Sequence, residues 1–403
     1  MMATGDIAIP SFRALQSTGE LVGLITQPDR PVGRHQTLTP PRIKVCAQEA
    51  GIPVLQPERM RDASAVESLR ALEPDIVVVM AYGQILSQEV IDIPRLACIN
   101  AHASLLPRHR GAACIQAAIE AGDDETGITI MHVVRQLDAG DIICSRTIPL
   151  RGTETAESLH DDLAALAPEA LAEAIYCLRN GTSDPMPQDE SLMTYAPKLL
   201  RAHGQIDWHL PALQVARKIR AYHSWPGTFT TYPSVKSGGD KQLKIFPPVD
   251  VFSFYKKPVD AVPGMVLEAG PEGMLVSCGG PRGGAVRIMT MQPPGARKMN
   301  AESFFAGHKI IPGTILGTLY SEPMAQVMKT PSTVFLVPAA IPMVPGASLF
   351  RSMRFAVNGE WDFFSHQILH TLLLAASIAG GIVCGMTAYY IFRKMIGPKP
   401  IIR

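Results

Sequence analysis

Almost no net charge separates the 37 lysine and arginine residues from the 36 aspartate and glutamate residues of this 403-residue chain. A total of +1 argues against a histone-like or uniformly nucleic-acid-coating protein. Also missing is any Cys-x-x-Cys pair: the seven cysteines, at 46, 98, 114, 144, 177, 278 and 384, lie far apart. That spacing points away from a disulfide framework or a zinc site, and a reducing compartment is the default. No self-similarity at a period of roughly 20–50 residues is visible, which sets aside solenoids and propellers. The opening segment MMATGDIAIPSF has no basic stretch leading into a long apolar run, so no secretory signal is expected in it.

What is present is unevenly distributed. The chain is 47% hydrophobic and 18% charged, enough to bury a sizeable core. Residues 1–190 carry 15 basic and 26 acidic side chains, net −11, whereas residues 191–311 carry 15 and 7, net +8. An acidic body followed by a basic module suggests that the module meets a polyanion. Short β-branched runs at 21–26, 75–82, 97–102 and 127–134 alternate with helical patterns such as Ala63–Leu72 and Ala112–Ala121. Near-continuous apolar strands between helices predict an α/β, doubly wound parallel sheet, with ligands gathering at the carboxyl ends of its strands. A polar, Pro- and Ser-bearing connection follows at about 183–199. Five short strand-like runs then predict a small OB-like β-barrel over 200–317. The first domain is accordingly placed at 1–182 and the connection at 183–199. A hydrophobic tail occupies 318–403.

Chemistry concentrates in INAHASLLPRHRGAA, residues 99–113. Asn100 and His102 are two apart at a predicted strand end and so share one side of the sheet. A side-chain amide and an imidazole placed together can polarise a carbonyl and stabilise its oxyanion. Taken alone, such a pair is more often structural. Asp138, in the turn QLDAGDII after strand 127–134, could approach His102 and raise its pKa, although an Asx-turn is the blander reading. Cys98 and Cys114 flank the region and are expected to pack as small apolar residues. The stretch TQPDRPVGRHQTLTPPRIK, 26–44, is too Pro-rich for a helix and predicts a surface loop.

The run DIVVVMAYGQIL, INAHASLLPRHRGAA, ETGITIM and LDAGDI closely resembles the methionyl-tRNA formyltransferase family, over about residues 3–317. Asn-x-His, SLLP and the later Asp belong to folate-dependent formyltransferases generally. ITQPDRPVGR, RGAA and GQIDW with IRAYHSWPG point to the initiator-tRNA branch. The resemblance implies transfer of a formyl group from 10-formyltetrahydrofolate, as co-substrate, to the amine of methionyl-initiator tRNA, with no metal. It implies Asn100, His102 and Asp138 as the catalytic trio, Ser104, Leu105, Leu106 and Pro107 as the folate-binding loop, and Arg34 and Arg42 as tRNA contacts. By charge alone Lys198, Arg217, Lys218, Arg220 and Lys244 are further candidates for the polyanion. A cytoplasmic monomer is expected.

This copy departs from the family pattern in places. Cys114 replaces a usual proline and Ala139 a usual threonine, while Gln36 and Thr37 stand where relatives often carry lysine. Met2-Ala3-Thr4-Gly5 opens directly on the first turn, so the first strand is expected to be missing, exposing two strand edges. Other folate-dependent formyltransferases, acting on glycinamide ribonucleotide or sugar nucleotides or hydrolysing the formyl group, give no reason for a basic barrel. An inactive tRNA-binding protein would not need the trio. The third alternative comes from the tail, which resembles the carboxy-terminal part of small threonine/serine exporter subunits. Residues 371–392 are uncharged and long enough to span a bilayer. The run from Thr330 to Phe350 is broken by Pro338, Pro342 and Pro345. Arg393, Lys394, Lys399 and Arg403 would keep the C-terminus cytoplasmic. The tail thus reads as a fused fragment that could tether the enzyme to the inner membrane.

Overall fold

A computed structural model describes residues 1–33, 36–234, 239–256, 258, 261–280 and 284–317. Met1–Tyr232 with residues 241–317 falls in one compact unit. The tail, including the proposed span 371–392, lies outside the described residues. Among the described residues no helix is long and apolar enough to cross a membrane.

In chain order the strands of the first half are β1 (Met2–Ala3), β2 (Leu24–Ile25), β3 (Arg30–Val32), β4 (Thr37–Thr39), β5 (Val54–Leu55), β6 (Ile76–Met80), β7 (Ala97–His102), β8 (Glu125–His132) and β9 (Ile142–Pro149). The helices are α1 (Ile9–Ser17), α2 (Arg42–Glu49), α3 (Ala63–Arg70), α4 (Gln88–Ile91), α5 (Cys114–Ala121), α6 (Ala156–Asn180) and α7 (Ala212–Tyr222). Seven strands form one sheet in the order β5-β2-β1-β6-β7-β8-β9. Alternate residues of the strands enter different cores. Val78, Met80, Ile99 and Ala101 join one cluster, whereas Met2, Val77, Val79 and Cys98 join another. A period-2 strand that is apolar on both faces must be covered on both, which is the physical basis of this layered fold.

Two expectations need correction. The sheet is parallel only from β5 to β7; β8 pairs antiparallel with β7, and β9 antiparallel with β8. Nor is the first strand missing. Met2 and Ala3, both fully buried, fill the centre of the sheet, Met2 opposite Ile25 and Val79 and Ala3 opposite Met80. Two residues suffice because β2 is equally short, and the Thr4 and Gly5 amides continue by donating to Ala81 O. No pair of open edges results.

Helix α6 seals one face of the sheet. Thr155 and Ser158 form a reciprocal capping box at its start, and Gly181, at φ 65°, ends it in the left-handed conformation. Between them Leu159, Leu163, Ala167, Ala170, Leu171 and Ala174 recur at helical spacing and are buried.

The later strands are β10 (Thr228–Ser234), β11 (Gly239–Phe252), β12 (Val266–Gly270), β13 (Gly273–Ser277), β14 (Ala285–Gln292) and β15 (Met299–Asn300), followed by α8 (Ala301–Gly307). They form a curled antiparallel sheet, ordered β10-β11-β14-β13-β12, around a core with Trp208, Ile219, Leu243, Ile288 and Phe304. The final segment ties its two edges: Leu316 N–H donates to Gly264 O and Gly317 N–H to Thr231 O. Helix α7 fastens this part to the first. Tyr222 Oη donates to Glu120, Arg217 to Ala121 O at 3.2 Å and Arg220 to Glu154 O at 2.9 Å.

Candidate active site

Strand β7 ends with Asn100 and His102, as read from the sequence, and antiparallel β8 lies alongside. The turn between β8 and β9 returns Asp138 to that strand end. His102 is buried, with Nε2 donating to His109 O at 3.0 Å and Nδ1 lying 3.7 Å from Asp138 Oδ2. Asn100 Nδ2 reaches Asp138 Oδ1 at 3.5 Å, a long contact that links all three side chains. Gly111 N–H donates to Asp138 Oδ2 at 2.8 Å. Burial of the ring opposes charge on His102. Against it, the Cys114 sulfur, the Asp138 carboxylate and the His109 carbonyl together push the imidazole up to about 9. The upward shift favours the charged form of the ring. The flanking Cys114 is buried at the first turn of α5.

The 104–107 loop is braced from within. Ser104 is fully buried; its hydroxyl donates to Arg108 O at 2.7 Å and its carbonyl accepts from Thr129 Oγ1 at 2.7 Å. The Leu106 N–H in turn donates to Thr129 Oγ1 at 3.1 Å. Leu105 and Pro107 keep partly exposed apolar surface, whereas Leu106 is buried. Among the described residues no cluster of three or more His, Cys, Asp or Glu side chains could hold a metal ion.

Residues that sequence reasoning missed build the rest. His109 donates from its backbone to Thr194 Oγ1 at 2.8 Å and from its ring to Asp123 at 2.7 Å. Arg110, 3% exposed, exchanges backbone hydrogen bonds with Thr194 and Ala196 and grips Gln188 and Glu190 with its guanidinium. Gln188 donates to Asp138 O at 2.9 Å and to Gly140 O at 2.7 Å. The connection at 183–199 is thus packed against the site. Gly111 allows this: its φ is +114°, and a Cβ there would meet Ala196 O at 2.5 Å.

Of the two candidate tRNA contacts, only Arg42 is among the described residues. Arg34 lies outside the described residues. Arg42 opens α2, is exposed, and pairs with Asp6 at 2.9 Å. The stretch 26–44 is not a plain loop: β3 and β4 form an exposed hairpin, and Asp29 is held by Lys44 and Gln56. Of the basic candidates, Lys198 and Lys244 are exposed, Lys218 lies over the Tyr222 ring, and Arg217 and Arg220 are engaged in the α7 contacts described above.

Comparison with known proteins agrees with this geometry. Residues 6–175 match the formyl transferase family and residues 198–309 the formyl transferase C-terminal domain. Residues 275–388 match the threonine/serine exporter family. The methionyl-tRNA formyltransferase of Akkermansia muciniphila is 55% identical over 307 residues, covering 76% of this chain and 95% of that protein. The corresponding protein of Geobacter metallireducens is 42% identical over 317 residues, covering 78% and 97%. The solved N-formyltransferase from Helicobacter canadensis, in complex with folinic acid and dTDP-3-aminofucose, superposes with a TM-score of 0.51 over 71% of this chain and 97% of that one. At 16% identity that likeness speaks to the fold alone. With two relatives above 40% identity across nearly their whole lengths, the chain belongs to the methionyl-tRNA formyltransferase family.

Proposed function

We propose that this chain transfers the formyl group of 10-formyltetrahydrofolate to the α-amino group of methionyl-initiator tRNA in the cytoplasm. The observation that carries the reading is the convergence of Asn100, His102 and Asp138 at the end of β7 in a chain of this family. The neutral methionyl amine attacks the formyl carbon, and negative charge develops on the formyl oxygen. Asn100 Nδ2 and the His102 imidazolium are the donors for that oxygen, in a site where burial strengthens both. Asp138 holds His102 charged and accepts the proton the amine must lose. As the tetrahedral intermediate collapses, the bond from carbon to the folate nitrogen breaks and that nitrogen receives the proton. No side-chain nucleophile is needed, because the acceptor amine attacks.

The folate fits the 104–107 loop through the apolar surface of Leu105 and Pro107, while Ser104 and Leu106 hold the loop in shape. The second part of the chain, OB-like in its curled sheet and net basic in sequence, would take the tRNA, with Lys198, Lys244 and Arg42 among the exposed cations and Arg34 a further candidate by sequence. The domains are read as 1–182 and 200–317, joined by 183–199. A direct test offers purified chain and 10-formyltetrahydrofolate three acceptors: methionyl-initiator tRNA, methionyl-elongator tRNA and an amino-sugar nucleotide. Formylation of the first alone supports the reading; formylation of the sugar amine alone overturns it.

A second reading concerns the tail. The exporter-family match, residues 275–388, extends through most of the tail and supports reading 318–403 as a fused membrane fragment. Fractionating cells that express the full chain and a version ending at Gly317 tests this. Recovery of the full chain in the soluble fraction without detergent would end it.

A further inference from the structure

We propose that Gln188 is a positioning residue for Asp138, so that the segment joining the two parts of the chain sets the geometry of proton transfer. The inference rests on the catalytic reading of Asp138 given above. Asp138 has a φ of 52°, a left-handed conformation that is uncommon for a residue bearing a side chain. Its turn needs something to hold it there. The Gln188 amide nitrogen donates to the carbonyls of Asp138 and Gly140, on either side of Ala139. Those two bonds clamp the backbone that aims the carboxylate.

The clamp is itself oriented. Gln188 Oε1 accepts from Arg110 Nε at 3.0 Å and Nη2 at 2.8 Å, which leaves the amide nitrogen facing the turn. Glu190 caps the other side of the guanidinium, at 2.8 and 3.1 Å. Arg110 is one residue from Gly111, whose N–H binds the Asp138 carboxylate. The same short stretch therefore holds the carboxylate directly and the backbone through Gln188. Gly140 completes the fit: a Cβ there would lie 1.8 Å from His132 O, so its close approach to β8 requires glycine. A glutamine whose nitrogen is engaged on this turn while its oxygen is held by Arg110 has a geometric task, and small misplacement of a reacting group can cost about 100-fold in rate.

The test compares wild type with Gln188→Ala, Gln188→Glu, Asp138→Asn and the Gln188→Ala/Asp138→Asn double variant. Gln188→Glu keeps the acceptor for Arg110 but removes both donors, so it reads the clamp even if Gln188→Ala folds poorly. Single-turnover formyl transfer, its pH profile, folate affinity and melting are measured for each. The expected result is a rate lower by roughly 10- to 100-fold in both Gln188 variants, with folate affinity and melting near wild type. The alkaline limb of the profile should move to lower pH, because a displaced carboxylate no longer supports the His102 cation. In the Asp138→Asn background, Gln188→Ala should add little. Unchanged rate and limb in Gln188→Glu, or full additivity in the double variant, overturns the proposal while leaving the role of Asp138 intact. Full activity in Asp138→Asn overturns both.

Discussion

Changing Asp138 to asparagine keeps the size of the side chain but removes the charge 3.7 Å from His102 Nδ1. Two unit charges about 4 Å apart interact by roughly 4 kcal/mol at an effective dielectric of about 20. Partial exposure of Asp138 and the support from Cys114 reduce what His102 loses, and an opposite charge at this range ordinarily moves a pKa by about 1–3 units. Starting from about 9, His102 should fall to about 7 in the variant. At about pH 8 the imidazolium fraction then drops from roughly nine tenths to roughly one tenth. The assay is kcat/KM for formyl transfer from about pH 6 to 10, with the His102 ring titrated in parallel by NMR. Wild type should lose activity with a limb near 9, and Asp138→Asn with a limb about two units lower, recovering partly toward pH 6. The same shift has a stability consequence. A raised folded-state pKa stabilises the protein fully below the unfolded value of about 6.5, and that stabilisation is lost as pH rises through about 9. Melting should therefore decline over that window in wild type and much less in Asp138→Asn. An alkaline limb at the same pH in both proteins would refute the assignment of Asp138 as the carboxylate that holds His102 charged.

Three further outcomes are expected. Asp138→Ala should retain its fold while losing formyl transfer, because the side chain sits in a turn and not in either core; normal turnover with normal melting would contradict its role. Gly111→Ala should destabilise the chain by on the order of 1–3 kcal/mol and slow catalysis, since the new Cβ meets Ala196 O and the backbone is at φ +114°; urea unfolding checks the first effect. Affinity for tRNA should fall steeply with salt, by roughly 0.7–0.9 in log–log slope for each phosphate neutralised, and removing the positive charges at Lys198 and Lys244 should flatten that slope.

The site was legible where its residues are close in sequence. Asn100 and His102 sit two apart on a strand, so their shared side follows from strand periodicity alone. Asp138 was reachable because its turn directly follows the neighbouring strand. Gln188, Thr194 and Arg110 were not, since their contacts join positions 50 to 85 residues apart and the connection carrying two of them has the composition of an ordinary polar linker. The buried Arg110 is the signal that sequence could have offered, in the charged turn after SLLP, but nothing in one sequence says where its partners lie. In the fold, β6 was plain from its β-branched run IVVVM, and β7 from its short apolar stretch ending in Asn100 and His102. The antiparallel β9 escaped notice because IICSRTIP alternates weakly and is only half-buried. β1, with two residues, was too short to carry any pattern, and its central place comes from pairing on both sides.

The central claim is that the His102 cation stabilises charge developing on the formyl oxygen. Single-turnover formyl transfer to methionyl-initiator tRNA, with tRNA and folate saturating, compares wild type with His102→Ala after both are shown to melt alike and bind both substrates alike. Loss of one such donor should slow the chemical step by about 100- to 1000-fold. A His102→Ala rate within a few-fold of wild type would contradict the mechanism.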